Sequence, residues 1–110
     1  MSKRDHLGEF EVLVLLAILR LGTDAYGMAV RRAIEERAGR KTSIGALYIT
    51  LDRMEEKGFI TSEIGEATPE RGGRAKRFFS INPAGRQALN KSLEEVSKMA
   101  GGLFPVTEAI

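Results

Sequence analysis

The chain has 110 residues, 29% of them charged and 43% hydrophobic, the mix of a single soluble globular domain. A net charge of only +2 leaves any nucleic-acid affinity to local clustering rather than to bulk charge. Cysteine is absent, which excludes disulfides, thiolate metal sites and a cysteine nucleophile, and fits a reducing cytoplasm.

The longest apolar run, Val12 to Leu19, is too short to span a bilayer, and the N-terminal Met1 to His6 lacks the apolar stretch of a signal peptide. A cytoplasmic location is therefore expected. The first predicted helix runs from Leu7 to Arg20 and ends at Gly22. Its middle, Val12 to Leu19, is apolar around the whole circumference and needs burial on two sides. The core of its own domain covers one side; a second subunit is the natural cover for the other, through Leu13 and Leu16. Periodicity alone would also allow a buried strand here, but the flanks Gly8 to Glu11 and Arg20 favour helix.

Asp24 is placed to cap a second helix, Ala25 to Ala38, with Tyr26, Ala29, Val30, Ala33 and Ile34 inward. Arg31, Arg32, Glu35, Glu36 and Arg37 form its solvated side. Gly39 closes it, and Arg40 and Lys41 bridge to Ser43. A third helix begins at Ser43, whose hydroxyl can accept from an open backbone N–H of the first turn. Ile44, Leu47, Leu51 and Met54 recur at helical spacing as one apolar stripe, and Gly58 suits a left-handed stop. Opposite lie Ala46, Ile49 and Arg53, flanked by Ser43, Gly45, Thr50 and Lys57. That face is small near its start and basic further along, so it can approach a DNA groove closely. Alone it reads equally as a plain amphipathic surface helix. Two helices joined by a short glycine-containing turn, the second bearing such a face, form a helix-turn-helix pattern.

Phe59 to Gly65 alternates as a strand, with Ile60 and Ile64 on one face and Thr61 and Glu63 on the other. Its predicted partner is Lys76 to Asn82, with Phe79 and Ile81 inward. The connection from Glu66 to Ala75 carries Pro69 and Gly72-Gly73, the latter suited to a tight turn needing positive φ. The tip and the returning strand hold Arg71, Arg74, Lys76 and Arg77 against Glu66 and Glu70. In an arbitrary hairpin such a cluster is a solvated loop; directly after a helix-turn-helix it looks like the wing of a winged helix. Gly72 and Gly73 would let the backbone come close to the sugar-phosphate edge while the guanidiniums reach phosphates or the minor groove.

Asn82 as N-cap and Pro83 at the first helical position open a last helix to about Ala100. Leu89, Leu93, Val96, Ala100 and Leu103 step by four and three, a coiled-coil-like seam that lies beyond the winged-helix core and suits a dimer contact. Gly101-Gly102 stops the helix, and Leu103 to Ile110 is an apolar tail.

With these elements assembled, the sequence resembles the PadR family of bacterial winged-helix transcriptional regulators from about Leu7 to Leu93. Tyr26-Gly27 opens the second helix. The run from Leu47-Tyr48 through Leu51, Met54-Glu55 and Gly58 to Ile60 is similar to the family's LYxxLxxLExxGxI. Arg74 to Gly85 resembles its wing strand and the start of the last helix. Ile49 stands where many members have proline, Phe78-Phe79 where they have tyrosines, and Asn82 replaces a threonine with the same capping chemistry. The resemblance implies a mainly α fold with a two-stranded β wing, that is, a winged helix-turn-helix plus a C-terminal dimerisation helix. It further implies a homodimer on a palindromic operator of double-stranded DNA, usually as a repressor, with the third helix in the major groove and the wing on the flanking backbone. The first and last helices would build the dimer. The matching tyrosine, Tyr48, would contact phosphate or base; core-edge packing is its alternative. Some short-tailed members bind a small hydrophobic effector at the dimer interface through aromatic side chains, and here no aromatic lies between Pro83 and Leu103.

An enzyme is not expected, because His6 is the only histidine and no nucleophile–base arrangement is available. No cofactor or metal is expected either. The rival is a winged-helix protein–protein module, which would tolerate acidic residues along the third helix; helical projection puts Asp52 and Glu55 off its outer face. The resulting reading divides the chain into a DNA-binding domain, residues 1–82, and a dimerisation helix with tail, residues 83–110. DNA contacts are expected at Lys41, Ser43, Gly45, Ala46, Tyr48, Ile49, Thr50 and Arg53, and in the wing at Arg71, Gly72, Gly73, Arg74 and Lys76. Dimer contacts are expected at Leu13, Leu16, Leu89, Leu93, Val96 and Leu103.

Overall fold

A computed structural model describes residues 6–65 and 75–106. Four helices and one hairpin follow in the order α1 (Glu9–Leu21), α2 (Gly27–Ala38), α3 (Ile44–Glu56), β1 (Ile60–Ile64), β2 (Arg77–Ile81) and α4 (Pro83–Ala100). This is the architecture of a winged helix. Among the described residues no helix is long and apolar enough to cross a membrane.

The first helix is the spine of the core. Val14, Leu15, Ala17 and Ile18 are buried, while Val12, Leu13, Leu16 and Leu19 are only partly covered. Its start is fastened by Glu11, which accepts from the Gly8 N–H at 2.8 Å, one half of a capping box. The same carboxylate, in a residue only 7% exposed, accepts from Lys57 Nζ at 3.2 Å and so ties α1 to the end of α3.

Asp24 does not cap α2, contrary to the sequence expectation. Gly22–Asp24 forms a short 3-10 turn, and α2 starts at Gly27. The reason lies in the sheet. The Ala25 carbonyl accepts from the Phe79 N–H at 2.8 Å, and Tyr26 pairs with Phe78 as an isolated antiparallel bridge. These bonds to β2 hold Ala25 in a non-helical turn and Tyr26 extended, so the helix can begin only after them.

The N-cap of α3 is as expected: Ser43 Oγ accepts from the Ala46 N–H at 3.0 Å. Leu47, Leu51 and Met54 are fully buried, whereas Ile44, placed by periodicity in the same stripe, is exposed. At the other end Gly58 takes a left-handed φ of 81°. Gly58 N–H donates to the Glu55 carbonyl and Phe59 N–H to the Met54 carbonyl, a double closure that turns the chain and delivers Phe59 and Ile60 into the core.

β1 and β2 pair antiparallel with Ile60 opposite Ile81 and Ile64 opposite Arg77. Phe79 is buried, as expected, but Ile64 is 68% exposed although it shares a face with Ile60. Burial falls off along β1, so by Ile64 the hairpin has run past the helices that cover its base.

Asn82 occupies the N-cap position of α4 without capping it. Its amide nitrogen donates to the Gly58 carbonyl at 3.0 Å, and its N–H to Phe59 at 2.8 Å, so it locks the start of α4 onto the turn after α3. Gly85 sits where a Cβ would collide with the Phe59 carbonyl oxygen. Only Gly85, Ala88 and Leu89 of α4 are buried. Leu89, expected at a dimer contact, therefore belongs to the core of its own chain. The seam is uncovered from Leu93 onward, and Val96 is 67% exposed.

α3 closes on α2 where Tyr48 meets Gly27. A Cβ on Gly27 would collide with the Tyr48 hydroxyl, so the phenol fills the space of the side chain that Gly27 lacks. Arg31 adds a second tie, donating from Nε to the Thr42 carbonyl at 2.8 Å. Gly27→Ala is expected to destabilise the chain by about 1–3 kcal/mol through overpacking. In a Tyr48→Leu background the same change should cost less, by about 0.5 kcal/mol or more, as for residues in contact. Urea denaturation of the four proteins measures this, and strictly additive effects would rule the contact out.

Candidate nucleic-acid interface

The outer face of α3 is open and small. Ser43, Gly45, Ala46, Ile49 and Arg53 are all exposed, Ile49 at 62%. Lys41 is exposed just ahead of the helix. Gly45 is informative because a Cβ added there would meet nothing within 4 Å. Glycine inside a helix is worse than alanine by roughly 0.5–1 kcal/mol, and no contact among the described residues requires it here. The missing side chain leaves room on the outside only.

Three residues expected on this surface are engaged elsewhere. Thr50 is 7% exposed and its hydroxyl donates to the Ala46 carbonyl at 3.2 Å. It follows Leu47 by three residues and precedes Met54 by four, so helical phase puts it at the edge of the buried stripe. Tyr48 does not turn its hydroxyl outward; the hydroxyl lies against Gly27 and the ring is 6.3 Å from that of Phe79. Lys76 is half-buried, with Nζ 3.6 Å from the centre of the Tyr26 ring, a cation–π contact at the root of the hairpin. The Lys76 ammonium, with help from Arg32, holds the Tyr26 hydroxyl below its ordinary pKa. Arg71, Gly72, Gly73 and Arg74 lie outside the described residues.

One residue in the wing cluster takes a role the sequence did not suggest. Arg77 Nη2 lies 2.6 Å from Glu55 Oε1, Nη1 3.0 Å from Asp52 Oδ1, and Nε donates to Ser62 Oγ at 3.1 Å. Ser62 in turn donates to the Glu55 carboxylate at 3.0 Å. Asp52 and Glu55, three apart on α3, form a carboxylate pair that calls for a cation. That spacing was the only advance signal, and it does not say which arginine answers it.

A second surface lies away from α3. Leu13, Leu16 and Ala17 of α1 and Ala33, Ile34 and Ala38 of α2 line an apolar groove of about 190 Å³, framed by Arg20 and Arg37. Leu93, Val96, Met99 and Leu103 form a separate exposed apolar row along and just beyond the distal half of α4.

Residues 15–91 match the Transcriptional regulator PadR-like family. The chain is similar to the transcriptional regulator Rv3488 of Mycobacterium tuberculosis, at 40% identity over 65 residues, covering 56% of this chain and 57% of that protein. It spans between 25% and 57% of the length of the curated relatives it matches. Its fold is that of a PadR family transcription regulator from Clostridium difficile R20291, with a TM-score of 0.68 at 21% identity, covering 84% of this chain and 95% of that one. It is also that of Bacillus subtilis PadR in complex with operator DNA, with a TM-score of 0.66 at 21% identity, covering 77% and 46%. The family match extends from the middle of α1 through the first half of α4, across every element of the winged helix, and on that ground the chain belongs to the PadR-like family of transcriptional regulators.

Proposed function

We propose that this chain is a sequence-specific DNA-binding regulator that acts as a homodimeric repressor on a palindromic operator. The observation that carries the reading is the outer face of α3. An open glycine and an exposed aliphatic side chain stand at its centre, cations at its rim, and Arg77 engages Asp52 and Glu55 beside it. Ser43, Gly45 and Ala46 would admit the helix to a major groove, where Ile49 could meet a thymine methyl, the apolar mark of that base. Lys41 and Arg53 would contact phosphates, as would Arg71 and Arg74 with Gly72 and Gly73 at the wing tip. A protein of the same fold solved in complex with operator DNA supports DNA as the partner.

The dimer reading is supported by area. Exposed Leu93, Val96, Met99 and Leu103 and half-covered Leu13 and Leu16 make apolar surface that a two-fold partner would cover with the same patch. Two such protomers would set their α3 helices about one DNA turn apart, roughly 34 Å. A small hydrophobic effector would enter at that interface and be held by aliphatic packing, since α4 carries no aromatic residue.

Three measurements test the reading. On an operator selected from random DNA, Ile49→Glu should weaken binding about tenfold or more, a loss of about 1.4 kcal/mol, with an unchanged melting temperature; unaltered operator preference would place α3 outside the groove. Replacing Arg71 and Arg74 together with alanine should reduce the salt dependence of binding by about two units, and a wild-type slope would take the wing off the backbone. Light scattering at micromolar concentration should give twice the 12.1 kDa chain mass. Val96→Asp, at a position uncovered within the chain, should halve that mass without changing the circular dichroism, and a wild-type monomer that binds its operator tightly would overturn the dimer.

A further inference from the structure

We propose that Arg77 is a positioning residue of the DNA-reading surface, which clamps the root of the wing to α3 and cancels two carboxylates on that helix without touching DNA. This inference rests on the DNA-binding reading above. Asp52 follows Ile49 by three residues, so it stands on the flank of the face that would meet DNA, and its side chain is 62% exposed. An uncompensated carboxylate there, with Glu55 one turn further on, would repel phosphates. The guanidinium of Arg77 answers both at once, one Nη to each. Its Nε is used by Ser62 on β1, and its Cζ lies 4.9 Å from the centre of the ring of buried Phe79. A planar fork that holds two carboxylates and a hydroxyl, with a core ring beside its Cζ, is fixed in orientation.

That geometry joins three elements. α3 supplies the carboxylates, β1 the hydroxyl, and β2 the arginine. Ile64, paired with Arg77, faces solvent, and Tyr26 holds Lys76 and Phe78 on the α2 side, so it is the Arg77 network that ties the hairpin to α3 at this level. The angle between wing and reading helix, and hence the distance between what each touches on DNA, is then set by Arg77. Arg53 contrasts with it, being exposed on the outer face itself.

A phosphate contact and a positioning clamp predict different losses. Binding of the full chain to its selected operator and to a random duplex is measured across salt concentrations, for the wild type and Arg77→Gln. The clamp predicts that the ratio of specific to random affinity falls by about tenfold or more. It also predicts that the salt slope stays at the wild-type value, because no phosphate contact is lost. Adding Asp52→Asn and Glu55→Gln to Arg77→Gln should return part of the lost affinity. A slope reduced by about one unit with an unchanged ratio, and no recovery in the triple variant, would make Arg77 a DNA contact and overturn the proposal. If Arg77→Gln fails to fold, Arg77→Lys serves instead: it keeps the charge but not the fork, and retention of full specificity would overturn the clamp. Should the wild type bind no duplex at all, the DNA reading fails by itself. Amide exchange of Ser62 to Ile64 then judges the clamp directly, faster exchange in Arg77→Gln supporting it and unchanged exchange overturning it.

Discussion

The tripeptide Ala25-Tyr26-Gly27 is the joint on which the rest of this molecule depends. Its first residue is fully buried and gives its carbonyl to the Phe79 amide at 2.8 Å. Its second bridges to Phe78, stacks edge-on against that ring at 5.8 Å, and carries Lys76 over its face. Its third has no side chain, so that Tyr48 can close against it. Three consecutive residues thereby connect the wing, the first helix of the helix-turn-helix, and the reading helix. A buried amide left without its partner costs about 1–3 kcal/mol, so the joint is not free to slide. The Tyr-Gly pair and the Leu-Tyr pair that mark the family resemblance are two sides of this one packing contact.

Electrostatics then decides what the outer surface presents. A chain with a net charge of only +2 cannot rely on bulk attraction, and here three acidic groups on or beside α3 are engaged by particular cations. Glu11 is matched to Lys57, and Asp52 and Glu55 to Arg77. Glu9 with Arg40 is a more exposed pair, worth little in stability. Lys41 and Arg53 stay at the surface around Ile49. Local arrangement thus makes a basic rim around a small apolar centre from a nearly balanced composition, and it does so by neutralising acids as much as by adding bases. The Glu11–Lys57 pair has a further consequence, because it links α1, whose outer side is available to a partner, with the last turn of α3.

Much of this was legible in the sequence. Helix identities, the Ser43 cap, the Gly58 stop, the Pro83 start, the antiparallel hairpin and the buried Leu47, Leu51, Met54 and Phe79 all follow from chemistry that acts over a few residues. A hydroxyl that caps, a glycine that takes positive φ and a side chain that repeats every third or fourth position need no knowledge of the rest of the chain.

What tertiary structure decided was how far each element is covered and where its polar atoms go. Periodicity put Ile44 and Ile64 on apolar faces, but neither has an element above it, so both are exposed. The same reasoning joined Leu89 to Leu93 in one seam, yet α4 leaves the core between them, and only the first is buried. Helical projection put Thr50 on the flank of the outer face, and the family resemblance gave Tyr48 a DNA contact with core-edge packing as its alternative. Each found a partner inside instead, one on its own helix and one on a glycine 21 positions earlier. Asp24 falls short of a capping position because β2 engages Ala25 and Tyr26 and delays the helix to Gly27, and Asn82 stands at one without capping because the Gly58 carbonyl takes its amide. Arg77 belonged to the charge cluster of the predicted wing in the sequence and became a clamp only when β2 came to rest beside Asp52 and Glu55. Local rules determine which residues can make a helix, a cap or a turn; which carbonyl, carboxylate or ring a polar side chain finally meets depends on segments that folding brings together from distant parts of the chain.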